Sequence, residues 1–435
     1  MHRNLYSSLL SWKTSPRRKP LLLRGARQTG KTYLLEDFGR REFEACITLN
    51  FEKDPALADF FSGDLQPDEL VRNLSLYTGR KIRPEKDLLF FDEVQSSDRA
   101  LNSLKYFHEL APEYHLAAAG SLLGIALSGP SAFPVGKVNF LDLYPMSFPE
   151  FLQAVGAAEY KELIQSREEM SPFPEPIHNE LLQHLRTYFF TGGMPECVAY
   201  YASTGDLEAV RSIQNEILGA YVMDFAKYAS AADIPKLRMI WDAIPAQLAR
   251  PKKRFFLSNL KKSARLRDFE NAIQWLEKAG LIHRVFRVKT ARKPLKAYAE
   301  ENIFKVYALD IGLVGAQTGM TPDLIVRGDR LFQEFEGALT ESYVLQELIA
   351  EKGLELYYWE SNGTAEVDFV CEYSSLIYPL EAKAGINVKS KSLQSFDSKF
   401  TPPYLGRTSL LNMKRDGRIL NYPLYAISLF PVAAA

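Results

Sequence analysis

The chain has 435 residues, a length that indicates roughly two to four domains. Lys and Arg together number 53 and Asp and Glu also number 53, so the formal net charge is zero. This balance excludes a globally basic nucleic-acid coat protein and an acidic tail protein, although it permits a local basic region. Hydrophobic residues make up 46% and charged residues 24%, which is typical of a folded chain and not of intrinsic disorder.

The cysteines and the apolar segments indicate the compartment. Cys46, Cys197 and Cys371 lie far apart and form no CxxC pair, so neither a disulfide framework nor a zinc site is predicted, and Cys371 is expected in the core. Residues 1–20 hold no apolar segment long enough for a signal peptide. The uncharged stretch 116–136 contains Gly, Ser and Pro, which favours a buried strand and loop over a membrane helix. The sequence predicts a cytoplasmic protein without membrane contact.

Residues 1–160 alternate short apolar runs with helical patterns. The strand candidates are 20–24, 46–51, 87–92 and 115–120. Strands that are buried on both faces and separated by helices are typical of parallel sheets. This part of the chain is therefore predicted to be an α/β core.

A phosphate-binding motif follows the first predicted strand. The match to GxxxxGK[ST] has no mismatch and consists of Gly25, Ala26, Arg27, Gln28, Thr29, Gly30, Lys31 and Thr32. It lies between an apolar strand and the helical segment 33–38, which is the context of a P-loop. Its glycines let backbone N–H groups turn towards a polyphosphate at the helix N-terminus. Lys31 is predicted to contact the β- and γ-phosphates of ATP, and Thr32 to ligate Mg²⁺.

Two carboxylates end the predicted strand 87–92. Asp92 is predicted to hold the Mg²⁺ water shell, and Glu93 to act as the base that orients the attacking water. Alone this pattern is weak, but it gains specificity because it follows a complete P-loop. Ser121 ends the next predicted strand and is a candidate sensor of the γ-phosphate; an ordinary turn serine is the alternative.

Segments along almost the whole chain resemble the AAA-type ATPases of bacteria and archaea whose C-terminal half is a DUF4143 domain. They read LLLRGARQTGKT, LLFFDEVQ, AAGSLLG, LYPMSFPEF, YFFTGGMPE, EKAGLIHRV, FKVYALDIGLV and EVDFVCEYSSLIYPLEAKAG. The resemblance implies an AAA-like core, a winged-helix region and a nuclease-like C-terminal domain. No motif identifies an arginine finger; Arg99 and several arginines of the helical part are candidates.

The predicted fold is an α/β multi-domain chain. Residues 1–160 form a P-loop AAA-like parallel-sheet core. Residues 161–235 form a helical lid, with a break at 191–195. Residues 236–325 form a winged-helix domain, and residues 326–435 form a restriction-endonuclease-like α/β domain of the DUF4143 type.

The region 250–299 is strongly basic, with 15 Lys and Arg residues against 3 Asp and Glu and thus a net charge of +12. A helix is predicted near 265–279, followed by a strand at 281–288, a basic turn at 289–294 and a strand at 295–299, an order that reads as a winged helix. The apolar positions of the helix are Leu266, Phe269, Ile273 and Leu276, and the polar positions are Arg267, Asn271, Gln274 and Lys278. The polar positions carry side chains that can contact phosphates or base edges of double-stranded DNA. The alternative is an inter-domain packing module with a solvated charged face.

A second group of chemically competent residues lies near the C-terminus. Strands are predicted at 367–370 and 376–383, joined by a polar turn, so that Asp368 faces Glu381 across a hairpin. Asp followed by Glu-x-Lys on the neighbouring strand resembles the PD-(D/E)xK nuclease pattern. Asp368 and Glu381 would bind Mg²⁺ and Lys383 would position or activate water, with Glu341 of the predicted helix 337–350 as an extra acidic ligand. The basic side chains of Lys389 and Lys391 are candidates to hold phosphate. The alternative is an exposed, ion-paired sheet face.

The sequence thus predicts an ATP-binding, Mg²⁺-dependent ATPase that acts as a nucleotide-driven switch on DNA or on a protein partner. The alternative function is an ATP-gated DNA nuclease that uses Asp368, Glu381 and Lys383. An oligomer is compatible with either function.

Overall fold

The computed structural model describes residues 1–121, 136–167, 170–250, 253–262, 264–323, 338–361, 365–385 and 390–432. The chain divides into two compact units. The P-loop unit comprises His2–Tyr144 and Lys278–Gly280, and the C-terminal unit comprises Pro145–Glu277 and Leu281–Ala435 together with Met1. The predicted lid, winged-helix and nuclease-like parts fall almost entirely within the second unit, and the four-part division stays a prediction.

The P-loop unit is built on a five-stranded sheet in which every pairing is parallel. Its strands are β1 (Leu21–Gly25), β2 (Ala45–Asn50), β3 (Asp87–Asp92), β4 (His115–Ser121) and β5 (Asn139–Asp142), in the order β2-β3-β4-β1-β5. Its helices are α1 (Tyr6–Thr14), α2 (Lys31–Glu42), α3 (Pro67–Thr78) and α4 (Asp98–Leu110), with 3₁₀ turns at Pro55–Phe61 and Val94–Ser96. The prediction of a parallel α/β core is confirmed.

Alternate residues of the central strands enter two hydrophobic cores on opposite faces of this sheet. Leu22, Leu89 and Phe91 belong to one core, whereas Leu23 and Phe90 belong to the other. Because both faces are covered, the strands are continuous apolar runs without a polar face, which is why the sequence revealed them. β5 was not predicted, since this four-residue edge strand has partly exposed side chains and no apolar run.

The first half of the C-terminal unit is helical. Its helices are α5 (Phe148–Ala154), α6 (Ala158–Gln165), α7 (Glu175–Thr191), α8 (Pro195–Thr204), α9 (Leu207–Tyr228) and α10 (Ile234–Leu248). The predicted break lies between α7 and α8, where Gly192 has a φ of 70°. A Cβ on Gly192 would overlap the carboxylate of Asp310, and the N–H of Gly193 donates to that carboxylate at 2.6 Å. The glycines are thus needed for a close approach of two segments within this unit.

The second half of this unit surrounds a mixed sheet of the order β12-β13-β11-β10-β9-β8-β6-β7. The strands are β6 (Ile282–Val288), β7 (Ala299–Ala308), β8 (Leu356–Glu360), β9 (Glu366–Tyr373), β10 (Leu376–Ala382), β11 (Leu405–Ser409), β12 (Lys414–Asp416) and β13 (Ile419–Pro423). The helices are α11 (Leu266–Lys278), α12 (Ile311–Gln317), α13 (Ala338–Lys352) and α14 (Lys391–Phe400). The hairpin β6–β7 belongs to this sheet because β6 pairs in parallel with β8.

The segment after the basic turn differs from its prediction. The sequence predicts a strand at 295–299, but Leu295–Tyr298 forms a 3₁₀ turn and β7 begins at Ala299. The N–H of Leu295 donates to the Glu372 carboxylate, and Ala297 N–H donates to the Pro294 carbonyl at 3.0 Å. Backbone N–H groups of this segment therefore donate to a nearby carbonyl and to a side-chain carboxylate, and not to a neighbouring strand.

Burial agrees with most of the predicted faces of α11. Phe269, Ile273 and Leu276 are buried and Arg267, Asn271 and Lys278 are exposed, whereas Leu266 and Gln274 are half-buried. Cys371 is buried as expected. In the stretch 116–136, residues 116–121 belong to β4, and residues 122–135 lie outside the described residues. Among the described helices, none combines the length and apolarity that a bilayer crossing requires.

Candidate functional site

The P-loop connects the carboxyl end of β1 to the first turn of α2. Gln28 and Gly30 have φ values of 65° and 90°, so the loop reverses its direction in the left-handed region. Two further contacts fix the loop: the Thr29 hydroxyl donates to the Ala26 carbonyl at 2.9 Å, and the Arg3 guanidinium donates to the Thr29 carbonyl at 3.0 Å. The loop is therefore held in shape by its own hydrogen bonds and by a buried arginine that sequence reasoning did not identify.

Gly25 lies where the backbone of the loop meets the chain after β5. A Cβ at Gly25 would overlap the Leu143 carbonyl oxygen and would lie 3.0 Å from the Thr29 hydroxyl oxygen. We expect Gly25→Ala to lower the free energy of unfolding by about 1–3 kcal/mol through overpacking and to weaken nucleotide binding. Thermal unfolding and nucleotide titration check this, with the open Gly63 replaced by Ala as the control, because a Cβ there meets no atom within 4 Å. Equal stability of the two variants would contradict the steric argument.

Lys31 lies at the start of α2 and is buried. Its ammonium donates to the carbonyls of Gly25 and Ala26 at 3.1 and 2.8 Å. Burial lowers the pKa of Lys31 to about 8, and the negative charges of Glu93 and Asp92 oppose this shift. The carboxylates of Glu93 and Asp92 favour the charged form of Lys31, which suits its predicted role as a cation for phosphate.

Asp92 ends β3 beside the P-loop. The Thr32 hydroxyl donates to the two carboxylate oxygens of Asp92 at 3.0 and 3.2 Å, and the Asn50 amide donates to one of them at 2.8 Å. Burial raises the pKa of Asp92, while the hydrogen bond from Thr32 lowers it. A hydroxyl and a carboxylate in contact provide the oxygen ligands that Mg²⁺ prefers, so these residues fit the predicted metal. Asn50 is an additional neighbour that no motif indicated.

Glu93 follows Asp92 in an uncommon backbone conformation, with φ 52° and ψ 41°. A non-glycine residue in this region costs on the order of 1–3 kcal/mol, and such residues concentrate at functional sites. The Gln95 amide donates to the Glu93 carboxylate at 2.5 Å and orients it. Ser121 pairs with Gly25 between β4 and β1, so the predicted sensor lies next to the start of the P-loop.

Arg99, a candidate arginine finger, and Arg27 of the P-loop both have partners within the P-loop unit. The Arg99 guanidinium donates to the carbonyls of Phe61 and Gly63. Arg27, within the motif, forms an ion pair with Glu52 at 3.9 Å. Arg99 thus stabilises the loop after the first 3₁₀ turn, and its role as an arginine finger stays a prediction.

The predicted C-terminal hairpin is present as β9 and β10. The pairing of Leu380 with Phe369 puts Asp368 opposite Glu381, and the Ala382 N–H donates to the Asp368 carboxylate at 2.9 Å. Lys383 forms an ion pair with Glu381 at 2.9 Å. The hairpin therefore brings Asp368, Glu381 and Lys383 together.

Glu341 of α13 lies beside this group, but its carboxylate is held by lysines. Lys253 contacts one oxygen at 2.5 Å, while Lys305 contacts the other at 3.3 Å and the Tyr307 hydroxyl donates to it at 2.7 Å. Lys305 also pairs with Glu366 at 2.5 Å. The position of Lys305 within the apolar run of β7 indicates a buried ion pair from the sequence alone, because a fully buried lysine needs a carboxylate partner.

We call the four carboxylates Glu341, Glu366, Asp368 and Glu381, with the lysines 253, 305 and 383, the C-terminal ion cluster. Burial raises the pKa of Asp368 to about 7, with repulsion from Glu341 as the next cause. Burial also raises the pKa of Glu381. Burial lowers the pKa of Lys383, but the attraction of Asp368 and Glu381 outweighs it, so that this pKa is raised.

The Glu341 carboxylate does not fit its predicted role as an extra metal ligand, whereas metal binding by Asp368 and Glu381 stays a prediction. Both oxygens of Glu341 contact ammonium groups, and one oxygen of Asp368 accepts a backbone hydrogen bond. Within the described ranges, no group of three or more His, Cys, Asp or Glu side chains is arranged to hold a metal ion. Lys391 begins α14 and is exposed, and Lys389 lies outside the described residues.

Three family models match successive parts of the chain. The AAA domain model matches residues 17–152, a domain of unknown function, DUF8612, matches residues 182–324, and a second domain of unknown function, DUF4143, matches residues 336–427. The AAA match includes all five strands of the P-loop unit, and the DUF4143 match includes Glu341 and the hairpin β9–β10. No curated protein matches the chain.

Several solved structures are similar to the chain at low identity. A Walker-type ATPase of Pyrococcus abyssi is 12% identical, with a TM-score of 0.47 over 73% of this chain and 95% of that chain. The ORC1 protein of Aeropyrum pernix, solved in complex with DNA, is 14% identical, with a TM-score of 0.29 over 74% and 92%. AMPPCP-bound DnaA of Aquifex aeolicus is 14% identical, with a TM-score of 0.28 over 63% and 86%. These TM-scores lie below 0.5, so the similarities assign no function.

The family matches agree with the motifs from which the resemblance was drawn. The complete P-loop and the Asp92–Glu93 pair lie inside the AAA match, and the segment around Asp368 and Glu381 lies inside the DUF4143 match. The chain thus carries an N-terminal P-loop domain of the AAA type and a C-terminal DUF4143 domain.

Proposed function

We propose that this chain is a Mg²⁺-dependent ATPase that acts as a nucleotide-driven switch on DNA or on a protein partner. The observation that carries the proposal is the convergence of Lys31, Thr32, Asp92 and Glu93 at the carboxyl ends of β1 and β3. Such a convergence supplies a phosphate-binding cation, oxygen ligands for a metal and a carboxylate base.

Each residue has a distinct task in the proposed reaction. The loop N–H groups and the Lys31 ammonium bind the β- and γ-phosphates. Thr32 and Asp92 hold Mg²⁺, which supplies neutralisation of the phosphate charge. Glu93 accepts a proton from the attacking water and orients it, and Ser121 contacts the γ-phosphate.

The basic region 250–299 supports DNA as the partner, although part of its charge is used internally. Arg284 pairs with Glu270 and Glu277, and Arg287 pairs with Glu300 and Glu360. Two groups of exposed cations lie before α11 and at the turn of the β6–β7 hairpin. They are Lys261, Lys262 and Arg265 in the first group and Arg292, Lys293 and Lys296 in the second. Helix α11, the hairpin and its basic turn follow the order of a winged helix, which we propose as the DNA-contacting element.

We expect double-stranded DNA to increase ATP hydrolysis by the full chain at low salt, and moderate salt to remove the increase, because phosphate contacts are weakened by counterions. Replacing Arg292, Lys293 and Lys296 by Gln should weaken DNA binding and reduce the salt slope of binding by about 3. Steady-state ATPase rates and DNA titrations at several salt concentrations check both statements.

A charge-matched control is available in the P-loop unit. Arg72, Arg80 and Lys81 are exposed, and their replacement by Gln removes the same charge from another surface. If both triple variants lose DNA binding equally, net charge and not the hairpin turn is responsible. Hydrolysis that is indifferent to DNA would indicate a protein partner and would make the basic region a packing or solubility feature.

The alternative, an ATP-gated DNA nuclease, has one supporting observation, since β9 and β10 bring Asp368 beside Glu381 and Lys383. The lysines at Glu341 argue against a metal-dependent site. We therefore favour the switch, with the nuclease-like domain as a binding platform. Cleavage of DNA after long incubation with Mg²⁺ or Mn²⁺ and ATP, lost on Asp368→Ala, would reverse this preference.

A further inference from the structure

The C-terminal ion cluster contains its own cations. Lys253 and Lys305 approach different oxygens of the Glu341 carboxylate, at 2.5 and 3.3 Å, and Lys305 continues to Glu366 at 2.5 Å. On the other side of the group, Lys383 pairs with Glu381 at 2.9 Å. Lysines therefore contact Glu341 and Glu381, two of the three carboxylates that the sequence pattern presents as metal ligands.

Burial makes these pairings necessary. The side chains of Glu341 and Lys305 are 4% and 0% exposed, and a charge at such a depth is strongly unfavourable unless an opposite charge contacts it. The Tyr307 hydroxyl adds a third donor to Glu341. A divalent cation that used Glu341 would have to displace an ammonium group from it.

We propose that Lys253 and Lys305 take the place of a divalent cation in the C-terminal ion cluster, which makes it a lysine–carboxylate site that excludes Mg²⁺ and Mn²⁺. The ion pairs of the cluster then connect α13, through Glu341, to Lys305 of β7 and to Lys253 at the start of the basic region. This inference does not depend on ATP hydrolysis, because none of its residues belongs to the P-loop unit.

The two lysines differ in how easily they can be tested. Lys305 is completely buried and contacts two carboxylates, so its loss would destabilise the unit. The Lys253 side chain is 12% exposed and has one carboxylate partner among the described residues. Removal of Lys253 leaves Glu341, Glu366 and Asp368 with less positive charge, and oxygen ligands with excess negative charge attract hard divalent cations.

The test is Mn²⁺ titration of the full chain without nucleotide, followed by electron paramagnetic resonance of the free ion. We expect the wild type and the Asp368→Asn variant to bind the same amount of Mn²⁺, because the wild-type cluster binds none. Lys253→Met should bind Mn²⁺ at this cluster with an affinity at least about tenfold higher than that of the wild type. The double variant Lys253→Met/Asp368→Asn should lose this added Mn²⁺ binding. Lys253→Arg, which keeps the charge, and Lys261→Met, which removes an exposed lysine of the same segment, should resemble the wild type.

Two results would overturn the proposal. Mn²⁺ binding by the wild type that disappears in Asp368→Asn would show that the lysines do not exclude the ion. Lys253→Met that is folded by circular dichroism and yet gains no Mn²⁺ site would show that Lys253 does not stand in for it. The wild-type measurement decides the first point even if Lys253→Met fails to fold.

Discussion

Lys31→Ala is expected to abolish ATP binding at micromolar nucleotide. The ammonium is the buried cation of the P-loop, and its present partners are the carbonyls of Gly25 and Ala26 at 3.1 and 2.8 Å. Loss of charge-assisted hydrogen bonds to the phosphates should cost about 3 kcal/mol or more, which is at least about a hundredfold in Kd. Titration with a fluorescent ATP analogue measures this loss.

Folding and site specificity need separate controls in this experiment. Because Lys31 is buried, circular dichroism and thermal unfolding should accompany the titration. Lys53→Ala removes an exposed lysine of the same unit and should leave Kd unchanged. A folded Lys31→Ala protein with wild-type affinity would mean that nucleotide does not bind at the P-loop.

Glu93→Gln is expected to keep ATP binding and to suppress hydrolysis by about 10²- to 10⁴-fold, the range attributed to a positioned general base. The substitution preserves size and hydrogen bonding but removes the ability to accept a proton. The Gln95 amide donates to the Glu93 carboxylate, and the backbone of Glu93 lies in the left-handed region. Single-turnover hydrolysis, together with nucleotide titration, separates the chemical step from binding.

Asp92→Asn is the comparison for this variant, because Asp92 contacts Thr32 and is assigned to the metal. It should lower hydrolysis together with Mg²⁺-dependent affinity, whereas Glu93→Gln should change hydrolysis alone. ATP turnover by Glu93→Gln at the wild-type rate would remove Glu93 from the role of base.

The nucleotide site could be predicted because its residues are local in sequence. Gly25 to Thr32 form one continuous loop, and Asp92 and Glu93 end a strand that is recognisable from its apolar residues alone. A parallel sheet brings the carboxyl ends of its strands to one edge, so adjacency follows from the fold class. Asn50 and Arg3 could not be predicted, since their contacts depend on strand order and on the path of the N-terminal segment.

The C-terminal ion cluster could be predicted only in part. Hairpin geometry joins Asp368 to Glu381, which are close in sequence, but Lys253 and Lys305 lie 88 and 36 residues from Glu341. No periodicity encodes such distant ion pairs. The carboxylate pattern that predicts a metal gives no information about lysines from other strands and loops, so it does not predict Lys253 and Lys305 beside Glu341.

The parallel pairing of β6 with β8 also bears on how this kind of chain can change in evolution. Phe286, Arg287 and Val288 form the ladder with Tyr357, Tyr358 and Trp359, so the hairpin completes the sheet of the DUF4143 domain. A chain that began where that family match begins would leave β8 with an open edge of unpaired N–H and C=O groups. We therefore expect a chain that begins at this boundary to fold less stably than one that keeps the hairpin. Recombination that keeps the hairpin together with the DUF4143 domain is therefore expected to preserve the sheet better than recombination that separates them.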